Sequence, residues 1–358
     1  SMSKYNVKGL PWSCGIGKDV QDCVTTEEVM KKSGLDFQVD KCELVARMPF
    51  SIKKANELKL DTKAGDFVHG NAVYRDCPAA YATYRTDYNI PLGIVKSKYT
   101  VVQNEDAFKF FDDVIKCGQA EWQTAGMFGY GQKIFVSAKL PNTIKVGNDP
   151  IDNYLVFSNN HDGSGSVNIL FTPVRVFCTN CLAAARRNAD AFIRIRHTQS
   201  VKEKLDIGAQ IIAAAIQQSN SVAEMYNYLN NIKMTDKDVA KYICELNLTD
   251  AERLAAIDYT KNEATAFSRI IARDYPTLEA AKISTRKANA IAGMYDYYMN
   301  GIAQRDIAGT AWGAYNAITG YYCNVSNMEG EKRMDSLLYG HTANVFSEAL
   351  NSALAYAS

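Results

Sequence analysis

The chain has 358 residues, 47% hydrophobic and 22% charged, with a formal net charge of +1. This is a globular mixture able to bury a sizeable core as one large domain or two. A pI near 7.5 excludes a globally basic nucleic-acid coat but leaves room for a local basic face, and no apolar run approaches the ~20 residues of a membrane span.

Residues 1–50 read as an arm with one short helix, after a Ser1 that reads as a tag scar and with no secretion signal. Thr25 or Thr26 caps this helix, Glu27 and Glu28 occupy its first turn, and Gly34 ends it. From Asn71 to Phe177 the pattern is mainly β, with apolar runs at Val73–Tyr84, Leu92–Val102, Lys133–Leu140, Tyr154–Phe157 and Val167–Phe171 between Gly, Asn, Asp and Pro signals. One helix interrupts it, capped by Asn104, with Ala107, Phe108, Phe111, Val114 and Ile115 at helical spacing.

Near residue 200 the apolar period changes from about 2 to about 3.6. Ser200 and Glu203 form a capping box before a stripe of Val201, Leu205, Gly208, Ile212 and Ile216. Further helices are expected at about 236–246, 250–273, 276–300 and 343–356. The fold class expected is α+β: a β-rich N-terminal half with antiparallel hairpins and one or more helices, then an all-helical C-terminal half. The expected organisation is an arm over 1–50, a β-rich α+β domain over 51–200 and a helical domain over 201–358.

Between Arg175 and Lys204 stand seven Lys/Arg against two acids, Asp190 and Glu203. Thr179 or Asn180 caps a short helix, CLAAARRNAD, that carries Arg186 and Arg187. FIRIRHT then alternates, with Arg194 and Arg196 on one face and Ile193 and Ile195 on the other. An outward arginine face suits backbone phosphates, which guanidinium groups bind bidentately. Tyr84, Tyr88, Tyr99, Phe128 and Tyr130 are candidates to stack on unpaired bases. The competing reading is a solvated strand edge whose cations prevent edge-to-edge pairing.

The loop SNNHDGSGS (158–166) is foremost a hairpin turn at Asp162-Gly163. It lacks the Lys-Ser/Thr of a P-loop. Cys178-Thr179-Asn180-Cys181 is two ligands short of a zinc site, so no metal is expected, and no cofactor. The simplest reading of the pair is small buried thiols, with Cys178 as a nucleophile beside His161 or His197 as the enzymatic alternative. Nine cysteines with one close pair are not a secreted disulfide framework, so a reducing cytosol is expected. The apolar AWGAYNAITGYY reads as core or subunit contact.

Six ordered segments carry a family resemblance: TTEEVMKKSGLDFQVDKCEL (25–44), YRTDYNIPLGIVKSKYTVVQNEDAFKFFDDVI (84–115), YGQKIFVSAKLP (130–141), SNNHDGSGSVNILFTPVRVFCTN (158–180), RHT (196–198) and GTAWGAYNAITGYY (309–322). The chain resembles domain-of-unknown-function family 932, the phage/plasmid-like proteins. The resemblance implies an origin on mobile elements, hence a host cytoplasm, and supplies no catalytic residues. The order of hairpins and helix over 70–200 is loosely similar to the βββα core of phage single-strand annealing proteins, an analogy of fold alone.

The expected function is non-enzymatic binding of single-stranded nucleic acid, above all DNA, in recombination or replication. The expected contacts are Arg175, Arg186, Arg187, Arg194, Arg196 and Lys202, with Lys96 and Lys98 on the neighbouring β-run and Tyr130 stacking. The chain is expected to form a homo-oligomer through its helical half and to avoid membranes. The alternatives are an assembly protein whose basic block forms internal salt bridges, and a hydrolase or transferase using Cys178, His161 and Asp162. Burial of Arg194 and Arg196 against carboxylates would remove the binding reading; an inaccessible Cys178 would remove the enzymatic one.

Overall fold

The computed structural model describes residues 16–48, 60–164, 167–176, 180–181, 192–195, 201–326, 332–333, 336–337 and 340–356; over 180–181, 192–195 and 201–209 it describes the backbone path alone. The expected class is observed: antiparallel sheets dominate the described residues before 200 and helices dominate those after it. The first helix, α1 (Thr26–Ser33), opens with a reciprocal capping box between Thr25 and Glu28 and ends at Gly34 with φ 76°. The next helix, α2 (Asn104–Gly118), starts differently from expectation. Its N-cap is Gln103, which makes no side-chain cap bond, and Asn104 instead donates from Nδ2 to the Leu35 carbonyl.

The larger sheet has the order β1-β6-β7-β8-β9-β10, with β11 also on β9, from β1 (Lys18–Asp19), β6 (Glu121–Phe128), β7 (Lys133–Val146), β8 (Asp149–Asn160), β9 (Val167–Arg175), β10 (Asn180–Cys181) and β11 (Phe192–Ile195). The smaller sheet centres on β4 (Ala72–Arg85), with β2 (Val39–Met48) on one side and β3 (Phe67–His69) and β5 (Ile90–Lys96) on the other. The first 50 residues are thus more than an arm, because β2 runs the length of β4. Its alternating polar residues disguised it, as Gly126 and the polar Gln123 and Thr124 disguised β6.

Both faces of the larger sheet are covered. On one, Phe111 of α2 packs 4.5 Å from Phe157 and Phe108 stacks at 6.0 Å on Trp122. On the other, Phe128, Phe135, Tyr154, Val156 and Val174 pack with Cys323 and Phe346 from the helical half. The largest core cluster also spans both halves.

The long α3 (Val201–Asn231) lies on α2 and β7, and Ser219 bonds Asn142 and Asn153 of the β7–β8 hairpin at 3.0 and 2.9 Å. Its buried stripe is Ile211, Ile212, Ala215, Val222, Tyr226 and Leu229; Ile216, expected inside, is half exposed. Then follow α4 (Asp236–Asn247), α5 (Asp250–Thr260), α6 (Glu263–Ile271), α7 (Tyr275–Ala280) and α8 (Thr285–Asn300). Two expected helices are each split, because Lys261 and Lys282 take left-handed φ of 60° and 55° and fresh caps at Asn262 and Ser284 restart the chain. The aromatic segment forms α9 (Ala311–Asn324), with twelve residues buried of fourteen. Being apolar all round, it is a core helix, wrapped by α3, α4, α8 and α10 (His341–Ala355).

Candidate nucleic-acid interface

Arg175 is not available to a phosphate. It is 1% exposed, and its Nε donates at 2.6 Å to Oδ2 of Asp149, itself 4% exposed. Trp312 Nε1 donates to the same oxygen at 3.0 Å, while Arg175 Nη2 reaches the Ala303 carbonyl at 2.6 Å. Removing a charge pair from water is tolerable only with such additional hydrogen bonds. The first arginine of the basic block is therefore a bolt between the β8–β9 hairpin and the helical half.

The rest of that block divides by what is described. Arg186, Arg187, Arg196, Cys178, His197 and Ser200 lie outside the described residues, as do the side chains of Arg194 and Lys202 and all of the expected 181–190 helix but Cys181; Asn180 and Cys181, expected at its start, instead form β10, paired to Arg175 and Val174. The backbone of 192–195 is a strand, with Ile193 and Ile195 paired to the core residues Ile169 and Val167 and Arg194 paired to Asn168.

Lys96 and Lys98 are exposed at the end of β5, and neither forms an ion pair among the described residues. Lys41, by contrast, is tied down by the carbonyls of Ser97 and Tyr99. At the other end of the β4–β5 hairpin, Arg85 lies 4.0 Å from the Phe37 ring centre and 4.9 Å from that of Tyr88. The two aromatics sandwich a guanidinium that is also ion-paired to Asp87 at 2.7 Å. That guanidinium holds the Asp87 carboxyl below the usual carboxylate range.

Arg85 Nη1 also donates at 2.8 Å to the Tyr130 carbonyl. Tyr130 stands between Gly129 and Gly131, at φ 53° and 120°, and a side chain at Gly131 would strike the Phe37 ring. Arg85 thereby holds the ring of Tyr88 and the main chain of Tyr130, and both tyrosines are displayed, Tyr88 at 68% and Tyr130 at 59% exposure. The other aromatics expected to stack are sorted away from this rim. Phe128 is buried, Tyr84 and Tyr99 are half-buried, and the Tyr99 phenol is pushed up to about 12 by burial and then by the nearby Asp162 carboxylate.

The 158–164 loop is a turn between neighbouring antiparallel strands, with Gly163 at φ 82°. His161, expected as a candidate base on this loop, is fully buried: its Nε2 lies 2.6 Å from Asn104 Oδ1, its carbonyl accepts from Thr83 Oγ1, and its ring meets Phe37 edge-on. It crosslinks the two sheets and α2. Among the described residues no group of three or more His, Cys, Asp or Glu is placed to hold a metal, and no helix is long and apolar enough to cross a membrane.

A family model described as Domain of unknown function (DUF932) matches residues 91–339. The chain belongs to the DUF932 family. No curated protein and no solved structure matches it. The DUF932 match takes in the exposed lysines of β5, Tyr130 and the Asp149–Arg175–Trp312 bolt. It begins three residues after Tyr88, so the tyrosine rim straddles the edge of the DUF932 region.

Proposed function

We propose that the protein binds single-stranded nucleic acid along the β4–β5 hairpin, with bases stacked on Tyr88 and Tyr130 and phosphates met by Lys96 and Lys98. The observation that carries this reading is the pair of displayed tyrosines gathered at one buried arginine, which holds the ring of Tyr88 and the main chain of Tyr130. An exposed aromatic normally loses rotamer freedom on binding, and one already held loses less. Base–aromatic stacking is sequence-tolerant and requires unpaired bases, which points to single strands rather than duplex. Ile90–Lys96 separates the tyrosines from the lysines by roughly 20 Å at about 3.3 Å per strand residue, a span for several nucleotides. Arg186, Arg187, Arg194, Arg196 and Lys202 extend the proposed basic track; Arg175 does not.

A role in recombination or replication on a mobile element, in a reducing cytosol, completes the proposal. Six free cysteines among the described residues, Cys23, Cys42, Cys77, Cys117, Cys244 and Cys323, accord with that compartment. The test is a gel-shift and anisotropy panel of single- and double-stranded DNA and RNA. Retardation of single strands at low salt and micromolar protein is expected, with weaker duplex binding. No retardation of any single strand removes the reading and leaves the assembly role in its place.

A further inference from the structure

Among the described residues the smaller sheet ends at β2, and half of that edge is closed by the chain's own side chains. Val39 donates its N–H to Gln103 Oε1 at 3.0 Å and accepts from Gln103 Nε2 at 2.7 Å, and the Lys41 N–H donates to its neighbour Asp40 at 2.7 Å. Gln38 offers its carbonyl inward, to Thr86. Strand alternation therefore turns the backbone groups of residues 39, 41 and 43 away from β4.

The far half of β2 has the same parity. The two-residue loop Gly70-Asn71 makes His69 and Ala72 the closing hydrogen-bonded pair of the β3–β4 hairpin, so Val73 and Arg75 face β2. Their register partners are Met48 and Ala46, which leaves Val45 and Arg47 facing outward. Among the described residues nothing bonds the outward N–H and C=O groups of Glu43, Val45 and Arg47. All three side chains are exposed, Val45 at 37%, and neither Glu43 nor Arg47 has an ion-pair partner there. An open edge of this kind is a template for another strand.

The sequence Glu43-Leu44-Val45-Ala46-Arg47 is complementary to itself when reversed. We infer that β2 pairs antiparallel with β2 of a second copy of this chain about a two-fold axis at Val45. Val45 then faces Val45 of the second copy, and each Glu43 faces the other copy's Arg47 on the same side of the joined sheet. All three are hydrogen-bonded pairs, since the outward groups of both copies coincide. On the opposite side Leu44 meets Ala46 and Met48 meets Cys42, so the seam there is apolar. The charge pairing selects this register, because a two-residue slip would remove both opposite-charge pairs.

The test is sedimentation of the full chain at about 200 µM, a concentration that reveals association through even a small interface. Wild type should sediment as a dimer. Val45→Pro removes an outward N–H that β4 does not use, so the fold should be kept and the dimer lost. Glu43→Arg alone should raise the dissociation constant about tenfold or more, since both symmetry-related pairs become repulsive. Adding Arg47→Glu should return it to within about threefold of wild type, because the opposite-charge pairs are rebuilt with their signs exchanged. Circular dichroism and the melting temperature separate lost association from lost folding. A wild-type monomer, or a dimer indifferent to Val45→Pro and to the charge reversal, overturns the inference.

Discussion

Arg85 fixes the Tyr88 ring from beneath, 4.9 Å from its centre, and leaves its outer side to solvent. The support continues inward through Phe37 to His161, so an exposed ring is mounted on a buried column. Replacing Tyr88 with Ala is therefore expected to weaken single-strand binding by about 1–3 kcal/mol. The ring is exposed, so the melting free energy should move by no more than about 0.5 kcal/mol. Anisotropy titrations at several salt concentrations, beside thermal melts, check both; an unchanged affinity removes Tyr88 from the interface.

Lys96 and Lys98 should behave in the complementary way. If both meet phosphates, replacing them with Ala should flatten the dependence of log affinity on log salt by about 0.7 for each lysine. The same flattening is expected for Arg194 and Arg196 replaced together. Stacking variants should leave the slope alone, so the two classes separate in one experiment.

The Asp149–Arg175 bolt belongs to stability rather than binding. Asp149→Ala leaves the Arg175 guanidinium buried without its counter-charge and is expected to cost about 3–5 kcal/mol. Asp149→Leu combined with Arg175→Met should recover much of that loss, since an apolar pair of similar volume carries no desolvation penalty. Urea unfolding of the single and double variants measures the difference.

Asp238 supplies a pH test. The Tyr356 hydroxyl, followed by the cap bonds to Thr235, holds the Asp238 carboxyl below its ordinary 3.8 against the opposing effect of burial. A depressed carboxylate pKa contributes stability that is fully present above 3.8 and is lost as pH falls through the lower folded value. Asp238→Asn should accordingly lower stability near neutrality and flatten the acid limb below about pH 4, so that the two proteins converge at low pH. Thermal melts between pH 2.5 and 7, beside wild type, follow it.

Local chemistry was the legible part of the chain. Thr25 with Glu28, and Asp162-Gly163 between two apolar runs, act within a few residues, so their roles show in the string itself. The two-half fold followed from the change of period near residue 200. The bolt was not legible, because Arg175 is distinguished from a surface arginine only by Asp149 and Trp312, which the fold brings to it. The tyrosine rim was half legible. Tyr88 and Tyr130 stood among five candidate aromatics, but only the packing of Phe37 and Arg85 separates them from Tyr84, Tyr99 and Phe128. Asn104 misled for the same reason: as a cap it needed only its own helix, and the fold spends its side chain on Leu35 and His161.

The bolt also bears on how the protein is made. Arg175 reaches an acceptor 128 residues further along the chain, at Ala303, and Asp149 accepts from a donor that lies 163 residues ahead, at Trp312. A ribosome delivers the whole β-rich half before either exists. Until α9 emerges, that half holds an ion pair without its enclosure and a sheet face without its cover. The apparent border near residue 200 is thus a poor place to divide the gene: a fragment ending there would lack the groups that close its own sheet, and the two halves are best expressed as one chain.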